Sequence, residues 1–270
     1  MSRAPYYPLK GWNQIEDAAD VDAVRRRIAG LPRLDVYDAP DLYDLAYPGF
    51  KGDGEFYGKL IAADRVLYLG VGTGRLFSDM AANPQAVGLD YSAEMLHTLR
   101  QRHPNLDPGQ ILLGDALDPD ACAPASFDHI IAPYCFLTIF DGQQVAQVLR
   151  NVRAWLKPGG TFTTDAFSPF VTPFLRPGLE TITFPVDEHA IAIYIEYDHV
   201  RQAMHETAII SGPEGEWATD MDLHYHFPFD LTRYFVEAGL GKPSFTGEYT
   251  DEAFDPSRHE VMVVSGTRAD

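Results

Sequence analysis

Cysteine is scarce in this 270-residue chain: Cys122 and Cys135 are the only two. Two thiols cannot build a disulfide framework, and their spacing matches no zinc pattern. The chain also lacks any uninterrupted apolar stretch of about 18 residues, the length a membrane span needs. Met1 to Asp20 has no basic start followed by an apolar run, so no secretory leader is expected. Positive charge is in short supply, with 21 Lys and Arg against 39 Asp and Glu, a net charge of −18 and a pI near 4.7. A field of that sign repels phosphate backbones, so nucleic acid is a poor candidate substrate; its main use is solubility. There is no internal repeat and no low-complexity tract. These absences lead to the expectation of a cytoplasmic protein with no membrane partner, large enough for one core and an elaborated lid.

Three regions differ in pattern. Residues 1–58 read as a helical arm or lid: Ile15, Val21, Val24 and Ile28 recur at helical spacing, and Gly30 with Pro32 stops the segment. Arg25, Arg26 and Arg27 fall in its last turn, where cations complement the helix dipole. An aromatic stretch follows, including Tyr43, Tyr47 and Phe50. Residues 59–167, joined by 229–270, form the core. Its strand candidates are Val66–Gly70, Ala86–Leu89, Ile111–Leu113, His129–Ala132 and Thr161–Ala166, with helical patterns near Leu76–Ala82, Ala93–Arg102 and Gly142–Leu156. Pro158-Gly159-Gly160 reads as the turn into the fifth strand. Strands alternating with helices imply a parallel sheet covered on both faces. The chain closes with a helix at Leu231–Ala238 and strands at Ser244–Tyr249 and His259–Gly266. Residues 168–228 instead carry four β-branched and aromatic runs, Thr181–Val186, Ala190–Tyr197, Met204–Ser211 and Trp217–Phe227. They read as an antiparallel insertion over the active site, and its exposed edge leaves pairing into a homodimer open.

The most informative segment is Leu69-Gly70-Val71-Gly72-Thr73-Gly74, an apolar run entering three alternating glycines. A second apolar run, Ala86-Val87-Gly88-Leu89, ends on Asp90, twenty residues after Gly70. Glycine there lets the backbone approach a ligand or adopt φ > 0, and a carboxylate at the next strand tip accepts hydrogen bonds from a ribose diol. The spacing is G-x-G-x-G, not the G-x-G-x-x-G of nicotinamide enzymes, which argues against a dehydrogenase. Gly88-Leu89-Asp90-Tyr91-Ser92-Ala93-Glu94-Met95-Leu96, Leu113-Gly114-Asp115-Ala116 and Leu156-Lys157-Pro158-Gly159-Gly160 follow in order. Together these four motifs resemble the class I S-adenosylmethionine-dependent methyltransferases, over roughly Lys59 to Ala166 and more loosely at the closing helix and strands.

That resemblance implies an α/β, Rossmann-like, mostly parallel seven-stranded sheet with S-adenosyl-L-methionine as cofactor. Backbone at Gly70, Gly72 and Gly74 would pack on the methionine part, Asp90 would take the ribose hydroxyls, and Asp115 the adenine amino group with the Ala116 amide at the ring edge. Tyr91 and Met95 would flank the adenine; a Met at helical spacing also serves as plain core, and Asp90 and Asp115 also suit cap or turn positions. One departure stands out. Tyr68 occupies the position, two before the first glycine, where the family often carries an acid for the methionine amino group, and Tyr43 or Tyr47 are the candidate substitutes.

On the substrate side, Ala132-Pro133-Tyr134-Cys135 follows the fourth strand, where the family borders the transferring methyl. It lacks the polar first residue and second proline of nucleic-acid amino methyltransferases. Tyr134 is read as a substrate-facing wall, with packing as the alternative. Tyr47 joins it as a candidate catalytic residue from the lid. His224 and His226 alternate, so a strand through both would place them on one side; His226 is the candidate general base, against ordinary packing. No third metal ligand stands beside them, and Cys135 reads as a small buried hydrophobe. Phe167, Phe170, Phe174, Phe184, Tyr194, Tyr197 and Trp217 suggest a partly apolar organic substrate. The expected activity is N- or O-methylation of a small molecule; the alternatives are a non-methylating intramolecular alkylation driven by the same sulfonium, or a cofactor-binding regulator without catalysis.

Overall fold

A computed structural model describes residues 6–62, 65–76, 82–170 and 179–269. The elements are β1 (Asn13–Ile15), α1 (Ala18–Ala29), α2 (Pro40–Ala46), α3 (Asp53–Ile61), β2 (Val66–Leu69), β3 (Val87–Asp90), α4 (Ala93–Arg102), β4 (Ile111–Leu113), β5 (Phe127–Ala132), α5 (Gly142–Trp155), β6 (Leu156–Phe167), β7 (Leu179–Val186), β8 (His189–Asp198), β9 (Ala203–Gly212), β10 (Gly215–His224), α6 (Pro228–Ala238), β11 (Ser244–Gly247) and β12 (Val261–Thr267).

Seven strands form one sheet in the order β11-β12-β6-β5-β2-β3-β4. The five from β6 to β4 run parallel, while β12 is antiparallel to β6 and β11 to β12. Side-chain alternation divides this sheet between two cores. Leu67, Leu69 and Ile130 face α5 and α6, whereas Val66, Tyr68 and Ile131 face Tyr57 and Ile61 of α3 and Leu96 and Leu99 of α4. The chain leaves β2 for β3 and β4 on one side and returns to β5 and β6 on the other. Strand order therefore reverses at β2, and a crevice opens beyond the carboxyl ends of the strands there.

Helix α5 shows how sequence dictates packing. Asp141 caps it by accepting from the Gln143 and Gln144 amides, while the Gln144 side chain accepts from the Asp141 amide in return. Val145, Val148, Leu149, Val152 and Trp155 then form one fully buried stripe. The Trp155 indole donates to the Pro119 carbonyl at 3.1 Å, so its polar atom is satisfied inside the core.

The second sheet, β1-β7-β8-β9-β10, is antiparallel throughout. Its outer face (Leu179, Tyr194, Ile209) is covered by Val21, Val24 and Ile28 of α1. Its inner face, including Ile182, Ile193, Ala208 and Leu223, packs toward Tyr47 and Phe50 of the arm. The expected basic turn is an inter-element clamp: Arg25 grips Glu196 through two hydrogen bonds of 3.1 and 3.0 Å, and Arg27 meets Glu216 at 3.1 Å. The β10 edge is not open along its length, because the Leu34 amide donates to Ala218 O and the Ala218 amide to Pro32 O.

Several sequence expectations need correction. Ile15 is not helical; it pairs with Leu179 in β1, an edge strand contributed by the arm. Pro158-Gly159-Gly160 lies within β6, after a register shift between Phe127 and His129, with only Gly159 at φ +75°. The run Trp217–Phe227 ends as a strand at His224, because Pro228 opens α6. Most of the helical pattern near Leu76–Ala82, and Phe174, lie outside the described residues. Among the described residues no helix is long and apolar enough to cross a membrane.

Trp155 is the largest fully buried side chain. Trp155→Ala is expected to remove about 3–5 kcal/mol of stability, read as a lowered midpoint in urea unfolding with an unchanged slope.

Candidate active site

The crevice above β2 is a cleft of about 680 Å³, within the usual range for cofactor sites. Its floor is the glycine turn. The Gly70 and Val71 amides both donate to Leu89 O, at 2.9 and 3.2 Å, and fold the turn toward the next strand. Gly70, Gly72 and Gly74 all have positive φ, at 67°, 54° and 85°. Gly70 and Gly72 line the cleft; Gly74 does not, and its amide closes the turn on Val71 O at 3.0 Å.

Asp90 is the last residue of β3 and is 8% exposed. Its Oδ2 accepts from the Gly72 amide at 2.7 Å and its Oδ1 from the Ser92 amide at 2.9 Å. Burial pushes its pKa up and these amides pull it back. The Ser92 hydroxyl caps α4 through the Met95 amide at 3.1 Å, which directs buried Met95 to the cleft wall. Tyr91, Asp115 and Ala116 line the same end. Asp115 spends one oxygen on a turn, accepting from the Leu117 amide at 2.9 Å, and Asn151 of α5 donates to Ala116 O at 2.8 Å.

The opposite wall comes from the arm and from the loop after β5. Tyr37, Tyr43 and Tyr47 all line the cleft, with ring centroids 5.9 Å apart for the first two and 5.0 Å for the second pair. The arm is pinned to the glycine turn: the Thr73 hydroxyl donates to Asp44 at 2.7 Å, and Asp44 also pairs with Arg102. Tyr134 and Cys135 are consecutive non-glycine residues at φ 63° and 54°, a conformation that costs energy and needs outside support. Asp165, fully buried on β6, supplies it by accepting from the Tyr134 amide at 3.0 Å, the Cys135 amide at 2.5 Å and the Tyr57 hydroxyl at 2.7 Å. The turn delivers Tyr134 and Phe136 to the cleft. Arg75 stacks its guanidinium over the Tyr134 ring at 5.5 Å while paired with buried Asp53 at 2.6 Å.

The remaining expected residues sit elsewhere. His226 is off the cleft wall, buried behind the turn Phe136–Ile139 with Nε2 3.3 Å from Leu137 O, and burial lowers its pKa. Burial pushes the Cys135 thiol well up. Among the described residues none of the insertion aromatics forms the cleft wall: Phe167 and Tyr197 border a separate small cavity, and Tyr194 faces α1. The insertion reaches the cleft through Asp220–Leu223 of β10. Among the described residues no three His, Cys, Asp or Glu group as a metal set.

Sequence reasoning missed Arg75, Asp165 and Glu206. Arg75 directly follows the third glycine. Glu206 and Glu180 interrupt the inward apolar registers Met204-x-x-x-Ala208-x-Ile210 and Ile182-x-Phe184, a break visible in the sequence. Asp165 carries no local signal, since its partners lie thirty residues earlier.

With this geometry in hand, comparison with known proteins is informative. The family model described as a methyltransferase domain matches residues 66–160. The CcbJ methyltransferase of Streptomyces caelestis is similar with a TM-score of 0.75 and 25% identity, over 87% of this chain and 98% of that one. The sugar N-methyltransferase KedS8 of a Streptoalloteichus species follows at TM-score 0.59 and 17% identity, over 82% and 88%. CalS10 of Micromonospora echinaspora, an amino pentose methyltransferase solved with S-adenosylmethionine bound, stands at 0.58 and 18%, over 95% and 99%. No curated protein matches. Motif order, sheet topology and the match over residues 66–160 agree: the chain carries a methyltransferase domain similar to those of class I S-adenosylmethionine-dependent enzymes, and S-adenosylmethionine is its cofactor.

A Cβ on Gly70 would stand 2.7 Å from the Phe136 ring, whereas one on Gly159, at similar φ, meets nothing within 4 Å. Gly70→Ala is expected to weaken S-adenosylhomocysteine binding at least tenfold by calorimetry. Gly159→Ala should cost about 1–2 kcal/mol of stability and leave the affinity alone.

Proposed function

We propose that this enzyme N-methylates an amine on a small organic molecule. The observation that carries this reading is the composition of the cleft wall: six carboxylates (Asp35, Asp44, Asp90, Asp115, Asp220, Asp222) against two guanidiniums (Arg33, Arg75), interleaved with tyrosines. Such a site attracts cations, and aromatic faces hold them further. A phosphorylated or carboxylate-bearing acceptor is disfavoured by the same field.

The glycine turn and the Asp90 tip fit the cofactor, which supplies an electrophilic methyl when bound. In this reading the Gly70 and Gly72 backbone meets its methionine part and Asp90 its ribose hydroxyls. Asp115 and the Ala116 amide take the adenine edge, with Met95 and Tyr91 on its faces. Tyr43 closes the methionine end in place of the acid that Tyr68 replaces. Tyr134 and Tyr47 border the acceptor. What the protein contributes to the reaction is alignment and exclusion of water, and the arm that carries Tyr37, Tyr43 and Tyr47 serves both.

The test is transfer of labelled methyl from S-adenosylmethionine to a panel of alkylamines, amino sugars and phenols. Labelled amine with S-adenosylhomocysteine as co-product is expected. Transfer to phenols alone would overturn the amine reading, and methylthioadenosine in place of S-adenosylhomocysteine would overturn methylation. Asp90→Ala is expected to weaken S-adenosylhomocysteine binding by about 10- to 100-fold, through loss of the ribose contacts and of the Gly72 amide's partner.

A further inference from the structure

The largely apolar inner face of the antiparallel sheet carries two buried carboxylates, Glu180 and Glu206, at 1% and 4% exposure. Glu206 stands in the middle of β9, opposite Ile195 on β8 and Met221 on β10. Met221 lines the cleft, so the carboxylate lies one strand behind the wall. What links it to the cleft is Tyr47, a lining residue whose hydroxyl donates to Glu206 Oε1 at 2.8 Å. Tyr7 gives it a second hydrogen bond, and among the described residues no Lys or Arg pairs with it.

A buried carboxylate without a cation is an expensive thing to place in a sheet. A core-packing role would be met more cheaply by a residue such as the Ala208 and Ile210 that follow it on the same face. We propose that Glu206 is the proton acceptor of the acceptor end of the cleft, working through the Tyr47 hydroxyl. This rests on the amine reading above. The substrate ammonium gives one proton to the Tyr47 oxygen as the Tyr47 hydroxyl proton passes to Glu206. The nitrogen lone pair is then free, Tyr47 ends as it began, and Glu206 ends neutral and returns the proton to solvent after product leaves. Tyr47 need not hold a charge at any stage, which suits a hydroxyl whose own ionisation is suppressed by burial and by Glu206.

The surroundings set the range in which Glu206 works. Burial raises its carboxyl to about 7, opposed by the Tyr47 and Tyr7 hydrogen bonds and by His205 next to it on β9. Tyr197 of β8, bonded to Glu180 of β7 at 3.2 Å, and the Tyr134 and Tyr37 hydroxyls also feel its charge. All these tyrosines stay neutral near pH 7, since their own values are raised. Against these neutral tyrosines, Glu206 changes charge near neutrality.

A carboxyl whose folded value is raised is protonated in both states below the unfolded value of 4.5. As pH climbs from there to about 7, the unfolded chain releases the proton first and stability falls. Glu206→Gln removes that penalty.

The experiment compares wild type, Glu206→Gln and Tyr47→Phe, using labelled S-adenosylmethionine and the best amine of the panel. Wild-type kcat/KM should rise to a plateau through a limb near pH 7. Both variants should lose about 10- to 100-fold at pH 7, and their profiles should track the free amine's own ionisation. S-adenosylhomocysteine affinity should stay within twofold. Without any substrate, Glu206→Gln should raise Tm by about 2 °C or more at pH 8 and leave it unchanged at pH 4.5. Wild-type rate and profile in Glu206→Gln overturn this proposal while leaving amine methylation standing. An equal loss of Tm at both pH values also overturns it, because it marks a purely structural acceptor of two tyrosine hydrogen bonds. Absence of transfer to any amine overturns the functional reading and this proposal with it.

Discussion

The cleft depends on a single carboxylate placed where two strands end. Asp90 holds the Gly72 amide with one oxygen and the Ser92 amide with the other. The first bond fixes a turn with φ > 0 at three glycines; the second sets the start of α4, whose cap at Ser92 places Met95. Desolvating the carboxylate costs energy, and charge-assisted bonds to backbone amides recover much of it. Both amides would otherwise be buried donors without partners. The same residue therefore organises the floor of the cleft and presents an anion at its edge.

Asp165 repeats this solution on the other side of the switch point. It also stands toward the end of a parallel strand, is also buried, and also accepts from two loop amides, here the consecutive ones of Tyr134 and Cys135. The two sites differ in what they support. At β3 the strained backbone is made of glycine, which adopts φ > 0 freely. At the loop after β5 it is made of side-chain-bearing residues, so the strain is real and the carboxylate has to hold it. The gain is a tyrosine and a phenylalanine delivered to the wall from a turn that no glycine could furnish with rings.

Local signals made the parallel half of the fold legible. Glycine spacing, apolar runs of strand length and helical stripes each operate within about ten residues, and β2, β3, β4, α4 and α5 fall within two residues or so of where those signals put them. The glycine-turn end of the cleft was legible for the same reason, since Gly70, Gly72, Asp90 and Met95 lie close together along the chain and all reach the cleft. What failed were inferences needing a distant partner. Ile15 satisfies a helical period yet pairs with Leu179. The His224 and His226 alternation assumed a strand that Pro228 brings to an end. The insertion's aromatics suggest a partly apolar substrate, but among the described residues none of them lines the cleft, which takes rings from Tyr37, Tyr43 and Tyr47 of the arm. No periodicity within residues 168–228 carries that information.

The tyrosine at position 68 makes sense once Arg75 is placed. A carboxylate there would join buried Asp53 close to one guanidinium, leaving a surplus negative charge in a desolvated corner. With Tyr68 neutral, Arg75 and Asp53 form a closed pair, further tied by the Phe50 amide donating to Asp53 at 3.0 Å. The guanidinium also occupies the space beside Gly49, where a Cβ would approach it within 2.3 Å. Arm, glycine turn and Tyr134 are thus riveted at one point, and the negative charge of the cleft lies instead at Asp90 and the other lining aspartates. Where the resemblance implies an acid, this chain has used the corner to fasten its arm to the glycine turn.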